Sequence, residues 1–309
     1  MSSTPSSSSF TESWLPGPQS TSFYTRLYTP PPATPTRALL VFVHGYLEHI
    51  GRYETAHSRW ASRGVAVFAY DERGFGRTAL GEQRSAGAGY GRTGGGDARM
   101  GDLEWALRYA REEVKGVPMF LMGHSMGGGL VLSFATRLRS PPSKDTIGLL
   151  SGVIASSPLV RIVRQAPSSL FLYTITFLSK LFPNIQLNTP VQDQDLSHDP
   201  AVGPEHLADP WMKGHASLEG IVDMLSRGEL LLTEGHRVWP KDLPVLILHG
   251  DEDMINGFPT CKDFFDILQT PDKTFVEYPG MFHDLMTEPD VKERYFEDCY
   301  SWLDQRVPS

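Results

Sequence analysis

Six short runs that are apolar at nearly every position punctuate the chain, at residues 39–43, 65–70, 117–122, 149–155, 245–248 and 274–278. Runs of this length with no polar alternation are what the central strands of a parallel sheet look like, because helices cover both faces. Between them lie segments with helical patterns, at residues 53–63, 101–114, 126–138, 259–268 and 290–303. Strands alternating with helices give right-handed crossover units and a parallel sheet. Residues 23–28 read as an added antiparallel edge strand. The expected class is α/β, with a mostly parallel central sheet flanked by helices.

The alternation stops at Pro158 and resumes near Lys241. The stretch between is rich in proline, mostly helical in pattern and without a clear strand. It is too long for a loop in a compact domain. It reads as a helical cap inserted between two strands of one sheet, over their carboxyl ends. The expected organisation is a flexible polar arm at 1–22, a core at 23–157 and 241–309, and the cap at 158–240. The glycine-rich residues 71–97 read as a mobile surface loop. Their GxGxxG-like spacings lack the strand–turn–helix setting and the downstream acid of a dinucleotide site.

Composition narrows the partners. With 309 residues, 40% hydrophobic and 21% charged, the chain is globular rather than disordered. A net charge of −8 leaves no global basic field, so no nucleic-acid partner is expected. Cys261 and Cys299 cannot build a disulfide scaffold and read as two free buried thiols, which suits a reducing compartment. The serine-rich start lacks the basic and apolar regions of a secretory signal. The most apolar stretch, 170–182, includes Thr174, Thr176, Ser179 and Lys180. It falls short of the roughly 20 apolar residues that span a bilayer. The last three residues, Val307-Pro308-Ser309, match neither a peroxisomal nor a prenylation signal.

The chemistry gathers at strand ends. Gly123-His124-Ser125-Met126-Gly127 fits G-x-S-x-G between an apolar strand and a helix, the setting that makes the motif specific. Flanking glycines permit a tight turn that presents the Ser125 hydroxyl, and the following helix adds a positive field there. A serine hydroxyl needs a base. Of ten histidines, His283 follows the last expected strand, so chain order Ser…acid…His is satisfied. His44 and His249 each precede a glycine at a strand end and read as loop-shaping residues. The acid belongs after the penultimate strand, where Asp251, Glu252 and Asp253 compete. Asp253 precedes His283 by 30 residues, room for one helix and one strand; Asp251 is its rival or a turn cap, and Glu252 should point away. The backbone N–H groups of Met126 and Tyr46 are the candidate oxyanion donors. No HExxH and no paired Cys/His spacing is present, so neither a metal nor an organic cofactor is expected.

These pieces resemble the monoacylglycerol lipases of the α/β-hydrolase superfamily, in a fungal-type version. The resemblance rests on His44-Gly45…Glu48-His49…Gly51-Arg52-Tyr53, Asp71-Glu72-Arg73-Gly74-Phe75-Gly76, Gly123-His124-Ser125-Met126-Gly127-Gly128, Ser156-Ser157-Pro158, Asp209-Pro210, His249-Gly250-Asp251-Glu252-Asp253 and Tyr278-Pro279-Gly280…His283. It covers about residues 20 to 305. It implies an α/β-hydrolase fold and cleavage of a monoacylglycerol to glycerol and fatty acid. Ser125, Asp253 and His283 would form the triad, with Tyr46 and Met126 donating to the oxyanion. Glu48, Arg52 and His124 match family positions near the glycerol end, where they either touch substrate or brace the loop. His206 stands where the animal enzymes have a glycerol-contacting tyrosine, and Asn256 where they have a cysteine. The same triad would also serve a broader carboxylesterase or lysophospholipase, or a ligand receptor on a hydrolase scaffold.

The cap would set selectivity. Residues 168–182 begin at serines able to cap a helix and stop before Pro183. Leu170, Tyr173, Phe177 and Leu181 share one face; Phe171, Ile175, Leu178 and Phe182 share the next. One stripe is enough for packing, so the second lines an acyl tunnel or touches lipid, unless the helix is buried on both sides. Trp211, Met212, Leu218, Ile221, Met224 and Leu225 are the expected opposing wall. The expected location is cytoplasmic, with peripheral attachment to lipid droplets or membranes.

Overall fold

The structure is a computed structural model that describes residues 10–163 and 169–308. Residues 1–9 of the expected arm and 164–168 of the expected cap lie outside the described residues. In chain order the strands are β1 (Phe10–Pro16), β2 (Ser22–Tyr28), β3 (Ala38–Val43), β4 (Val65–Tyr70), β5 (Met119–His124), β6 (Leu150–Ser156), β7 (Gln186–Asn188), β8 (His215–Ser217), β9 (Val245–Gly250) and β10 (Lys273–Tyr278). The helices are α1 (Glu54–Ser62), α2 (Gly76–Leu80), α3 (Gly95–Glu113), α4 (Met126–Thr136), α5 (Lys144–Ile147), α6 (Ser169–Leu181), α7 (Val202–Ala208), α8 (Leu218–Leu230), α9 (His236–Val238), α10 (Phe258–Ile267) and α11 (Lys292–Asp304). Eight strands form one sheet in the order β1-β2-β4-β3-β5-β6-β9-β10. From β4 to β10 the pairs are parallel, while β1–β2 and β2–β4 are antiparallel. This is the α/β-hydrolase architecture.

The continuous apolar runs have a direct cause. Side chains alternate across a sheet, so a run apolar at every position needs cover on both faces. Leu39, Val41 and Val43 of β3 enter one layer with Leu103 of α3, Phe134 of α4 and Phe264 of α10. Leu40 and Phe42 enter the other, with Trp60 of α1 and Phe296 and Trp302 of α11. Burying each such side chain contributes about 1.5–3 kcal/mol. Both cysteines are free and buried. No helix among the described residues is long and apolar enough to cross a membrane.

Three expectations are corrected. Residues 10–16 are a strand, not part of a polar arm. β1 holds to β2 by cross-strand contacts: Phe10 lies 4.8 Å from the Tyr28 ring and Trp14 5.6 Å from Tyr24. Buried Arg26 bonds Glu12 at 2.9 Å. The glycine-rich segment is not a mobile surface loop. It contains α2, and it buries Phe75, Ala79 and Tyr90 against Leu47, Met126, Ala216 and Ile221. Gly94, at φ 71°, lets α3 begin at Gly95 rather than at 101. The segment between β6 and β9 is helical as expected, but it also carries the short pair β7–β8.

Candidate active site

Only one residue separates β5 from α4, and that residue is Ser125. It takes φ 55°, ψ −118°, a backbone region that strains any residue with a Cβ. Glycines let the turn close. A Cβ on Gly123 would lie 2.2 Å from Gly127 O, and one on Gly127 would lie 2.3 Å from Val43 O. The Ser125 N–H donates to Ser156 O at 2.9 Å, and its carbonyl accepts from Gly129 and Leu159 at 3.0 and 2.9 Å. Met126 is the first residue of α4, so its N–H has no acceptor within the helix. The positive end of the helix lies at the same point.

His283 comes from the loop after β10, where its Nδ1–H donates to Asp253 Oδ2 at 2.7 Å. An ionised carboxylate only accepts, so this bond leaves Nε2 as the lone-pair nitrogen of the neutral ring. The Ser157 hydroxyl donates to His283 O at 2.7 Å and pins the loop. Asp253 Oδ1 accepts the N–H groups of Ile255 and Asn256 at 2.8 and 2.9 Å. Burial would raise the Asp253 carboxyl, but the charge and hydrogen bonds of His283 and His249 hold it well below the usual carboxylate range. Burial pushes His283 down, and Asp253 reverses this, leaving the imidazole above 6.5.

Of the three competing carboxylates, Asp253 meets the imidazole. Asp251 instead accepts Gly280 N–H at 2.6 Å and fixes a turn, and Glu252 is exposed. His249 does more than shape a loop. Its Nε2 lies 3.1 Å from Asp253 Oδ2 and 3.2 Å from Asn256 O. Both partners accept, so Nε2 carries the hydrogen. Burial opposes its charge, yet Cys261 and Asp253 raise it to about 9. Asn256 was also missed as a site residue: its Nδ2 donates to Ser157 O at 2.8 Å and lies 3.4 Å from Ser125 Oγ. The His-Gly-x-x-Asp spacing was the available signal for His249. A turn of chain returning Asn256 to the nucleophile has no such signal.

Ser125 and His283 line one narrow cavity of about 60 Å³ together with Tyr46, Met126, Glu48 and His206. Leu159, Ile162, Leu196, Met224 and Ile255 supply apolar wall. Of the expected opposing wall, Met224 reaches this cavity. Leu218 packs on Ile175 of α6, as expected of that wall, whereas Trp211 receives the Arg77 guanidinium 4.7 Å from its ring centre. Tyr46 follows Gly45 in the loop after β3, and its hydroxyl is 2.6 Å from Thr189 Oγ1.

Glu48 is buried and tied on three sides. It accepts from Gly45 N–H at 2.9 Å, from the Tyr53 hydroxyl and from Arg52. Burial would raise its carboxyl, but Arg52 above all holds it far below the usual range. Arg52 also lies 3.7 Å from Asp284; it does not line the cavity and meets it through its partner Glu48. His206 is 3.7 Å from Asp193. His124 is buried with its ring 4.9 Å from the His283 ring. Burial, and then the neighbouring His283, push it down to about 4, so it stays neutral.

A family model described as serine aminopeptidase, S33, matches residues 34–290. The putative monoglyceride lipase of Schizosaccharomyces pombe is 33% identical over 269 residues, which cover 86% of this chain and 67% of that protein. The monoacylglycerol lipase of Mycolicibacterium smegmatis is 29% identical over 282 residues, 88% of this chain and 90% of that protein. A solved structure, of a soluble variant of monoglyceride lipase from Saccharomyces cerevisiae in complex with a substrate analog, matches with a TM-score of 0.84 at 25% identity. That match covers 98% of this chain and 96% of the other. An elbow serine, a buried Asp–His pair beside it and this likeness along nearly the whole chain lead to one conclusion: the chain belongs to the α/β-hydrolase family described as serine aminopeptidase, S33, and groups within it with the monoglyceride lipases.

Proposed function

We propose that the chain cleaves monoacylglycerol to glycerol and fatty acid through an acyl-enzyme on Ser125. His283 Nε2 takes the Ser125 proton as Oγ attacks the ester carbonyl, while Asp253 holds the ring tautomer and stabilises its charged form. The N–H groups of Tyr46 and Met126 bind the developing oxyanion, each worth about 2.7–4 kcal/mol in a site of this kind. His283 then protonates the departing glycerol oxygen. It next activates water, which releases the fatty acid and frees Ser125. The observation that carries this reading is the 2.7 Å Asp253–His283 bond, with His283 on the same cavity wall as Ser125.

Glu48 and His206 face the cavity and suit the glycerol end, where a carboxylate and a neutral imidazole can bond hydroxyls. Arg52 holds Glu48 ionised, and His124 backs His283. Residues 158–240 act as the cap. Its helix α6 meets a lipid surface through the stripe of Leu170, Tyr173, Phe177 and Leu181, which are 76%, 74%, 58% and 57% exposed. Such exposure opposes a helix buried on both sides, and Ile175 alone of the eight stripe residues is buried. Steady-state kinetics on monoacylglycerols of graded chain length, lysophospholipid and short esters test the assignment. Long-chain monoacylglycerol should give the highest kcat/KM, and Ser125→Ala should lower kcat by about 10⁴–10⁶-fold without unfolding. Near-normal turnover by the variant, or a preference for lysophospholipid, overturns the reading.

A further inference from the structure

A second cavity, of about 350 Å³, is larger than the one at Ser125. Its volume falls at the small end of the roughly 300–1,000 Å³ range of small-molecule pockets. Two helices serve both cavities. α4 starts at Met126 beside the nucleophile and contributes Ser133 and Thr136 here. α8 places Met224 at the first cavity and Ser226, Arg227 and Leu230 at the second. The turn after α8, Leu231–Gly235, is a π-helix that lines the second cavity. Such wide turns are frequent at functional sites.

The wall carries donors with nothing to bond. Ser133 is 7% exposed and Arg227 6%, and among the described residues neither Ser133 Oγ nor Arg227 Nη1 has a hydrogen-bond partner. Buried donors are normally satisfied, and an unmet one calls for an explanation. The cations share their acids. Asp223 pairs with Arg227 and also lies 3.8 Å from Arg99, itself bonded to Glu72 at 2.6 Å. Asp97 serves both Arg137 and Arg139, the latter at 3.0 Å. Burial, with Arg99 adding to it, pulls Arg227 down to about 10, so an anion nearby would relieve it. Exposed Glu234 is the remaining acid of the lining. Apolar groups complete the wall: Met100 and Leu231 are buried, while Leu138 and Leu230 are 77% and 53% exposed.

We propose that this second cavity binds a single-chain amphiphile with an anionic head, a medium-chain carboxylate. The head meets Arg227, Ser133 and the Arg137–Arg139 pair, and the chain lies against Leu138, Leu230 and Leu231. The site needs no chemistry at Ser125 and stands apart from the proposed ester hydrolysis.

Calorimetric titration of decanoate, below its micelle concentration, tests this on the full chain after treatment with a long-chain fluorophosphonate that occupies the first cavity. One decanoate should bind per chain. Decanol and decyltrimethylammonium should bind at least about tenfold more weakly, since charge-assisted bonds are the stronger ones. Arg139→Glu with Leu230→Glu, both exposed positions, should weaken decanoate by at least about tenfold by turning the rim negative. Ser226→Trp, filling the space from α8, carries the same expectation if that double variant melts early. Absent saturable binding, equal affinity for decanol, or unchanged decanoate affinity in the folded variants overturns the proposal. Mass spectrometry separates the two readings: an unmodified Ser125 counts against the hydrolase assignment, while the variants still decide whether decanoate occupies this cavity.

Discussion

The surroundings of Ser125 and the outer face of α6 are built on opposite terms. Around Ser125, two carboxylates are buried and tied: Glu48 accepts three hydrogen bonds and Asp253 accepts four. On α6, large apolar side chains stand in water. Their helix is anchored by Ile175 and Leu172 against Leu218 and Val222 of α8. In the first region the charge of these two carboxylates is met within the chain, and the cost of burying it is offset by partners already in place. The second is incomplete, because apolar surface of this extent gains free energy when something else covers it.

Four substitutions test that contrast. Asp253→Asn should have the largest effect, lowering kcat by about 10⁴-fold through loss of the correct imidazole tautomer. It should also move the acid limb of kcat/KM to lower pH. His283 sits above 6.5 because Asp253 favours its charged form, the base must be neutral to work, and removing the carboxylate lowers that titration. An unmoved limb would mean that another group sets it.

Glu48→Gln should follow, costing about 3–5 kcal/mol in urea unfolding by leaving Arg52 buried without its main partner. The sign with pH is defined. Glu48 is depressed below 4.5 in the fold, so its contribution is present above the unfolded value and lost as pH falls through the folded one. The variant should lack that part of the acid loss. A variant as stable as the parent would reduce Glu48 to an ordinary loop residue.

The α6 stripe should give the smallest effect per residue. Leu170→Ser and Phe177→Ser should each weaken binding to lipid vesicles by about 1.5–3 kcal/mol. Hydrolysis of a short soluble ester should remain near the parent rate. Equal loss on both measures would place α6 in the site rather than at a lipid surface.

How much was legible follows the same division. The parallel strands stood out because cover on both faces makes their sequences apolar throughout, as in β3. The elbow stood out because Gly123 and Gly127 are required by contacts of 2.2 and 2.3 Å. β1 did not, since Phe10-Thr11-Glu12-Ser13-Trp14 is half polar, and it pairs through Tyr24, Arg26 and Tyr28 of another strand. Tyr90 looked like part of a loose glycine-rich loop until its ring packed on Phe75 and its hydroxyl bonded Leu47 O at 2.7 Å.

By itself, the order of residues determined the layered α/β class, the serine at its turn and the chain order of its acid and base. These are local properties, written in periodicity and in the glycines that a tight turn demands. Tertiary structure decided which of three neighbouring carboxylates meets His283, that His249 shares that carboxylate, and that both stripes of α6, Ile175 apart, are left in solvent. Those outcomes depend on distances between segments far apart in sequence, and a linear pattern holds no such distances.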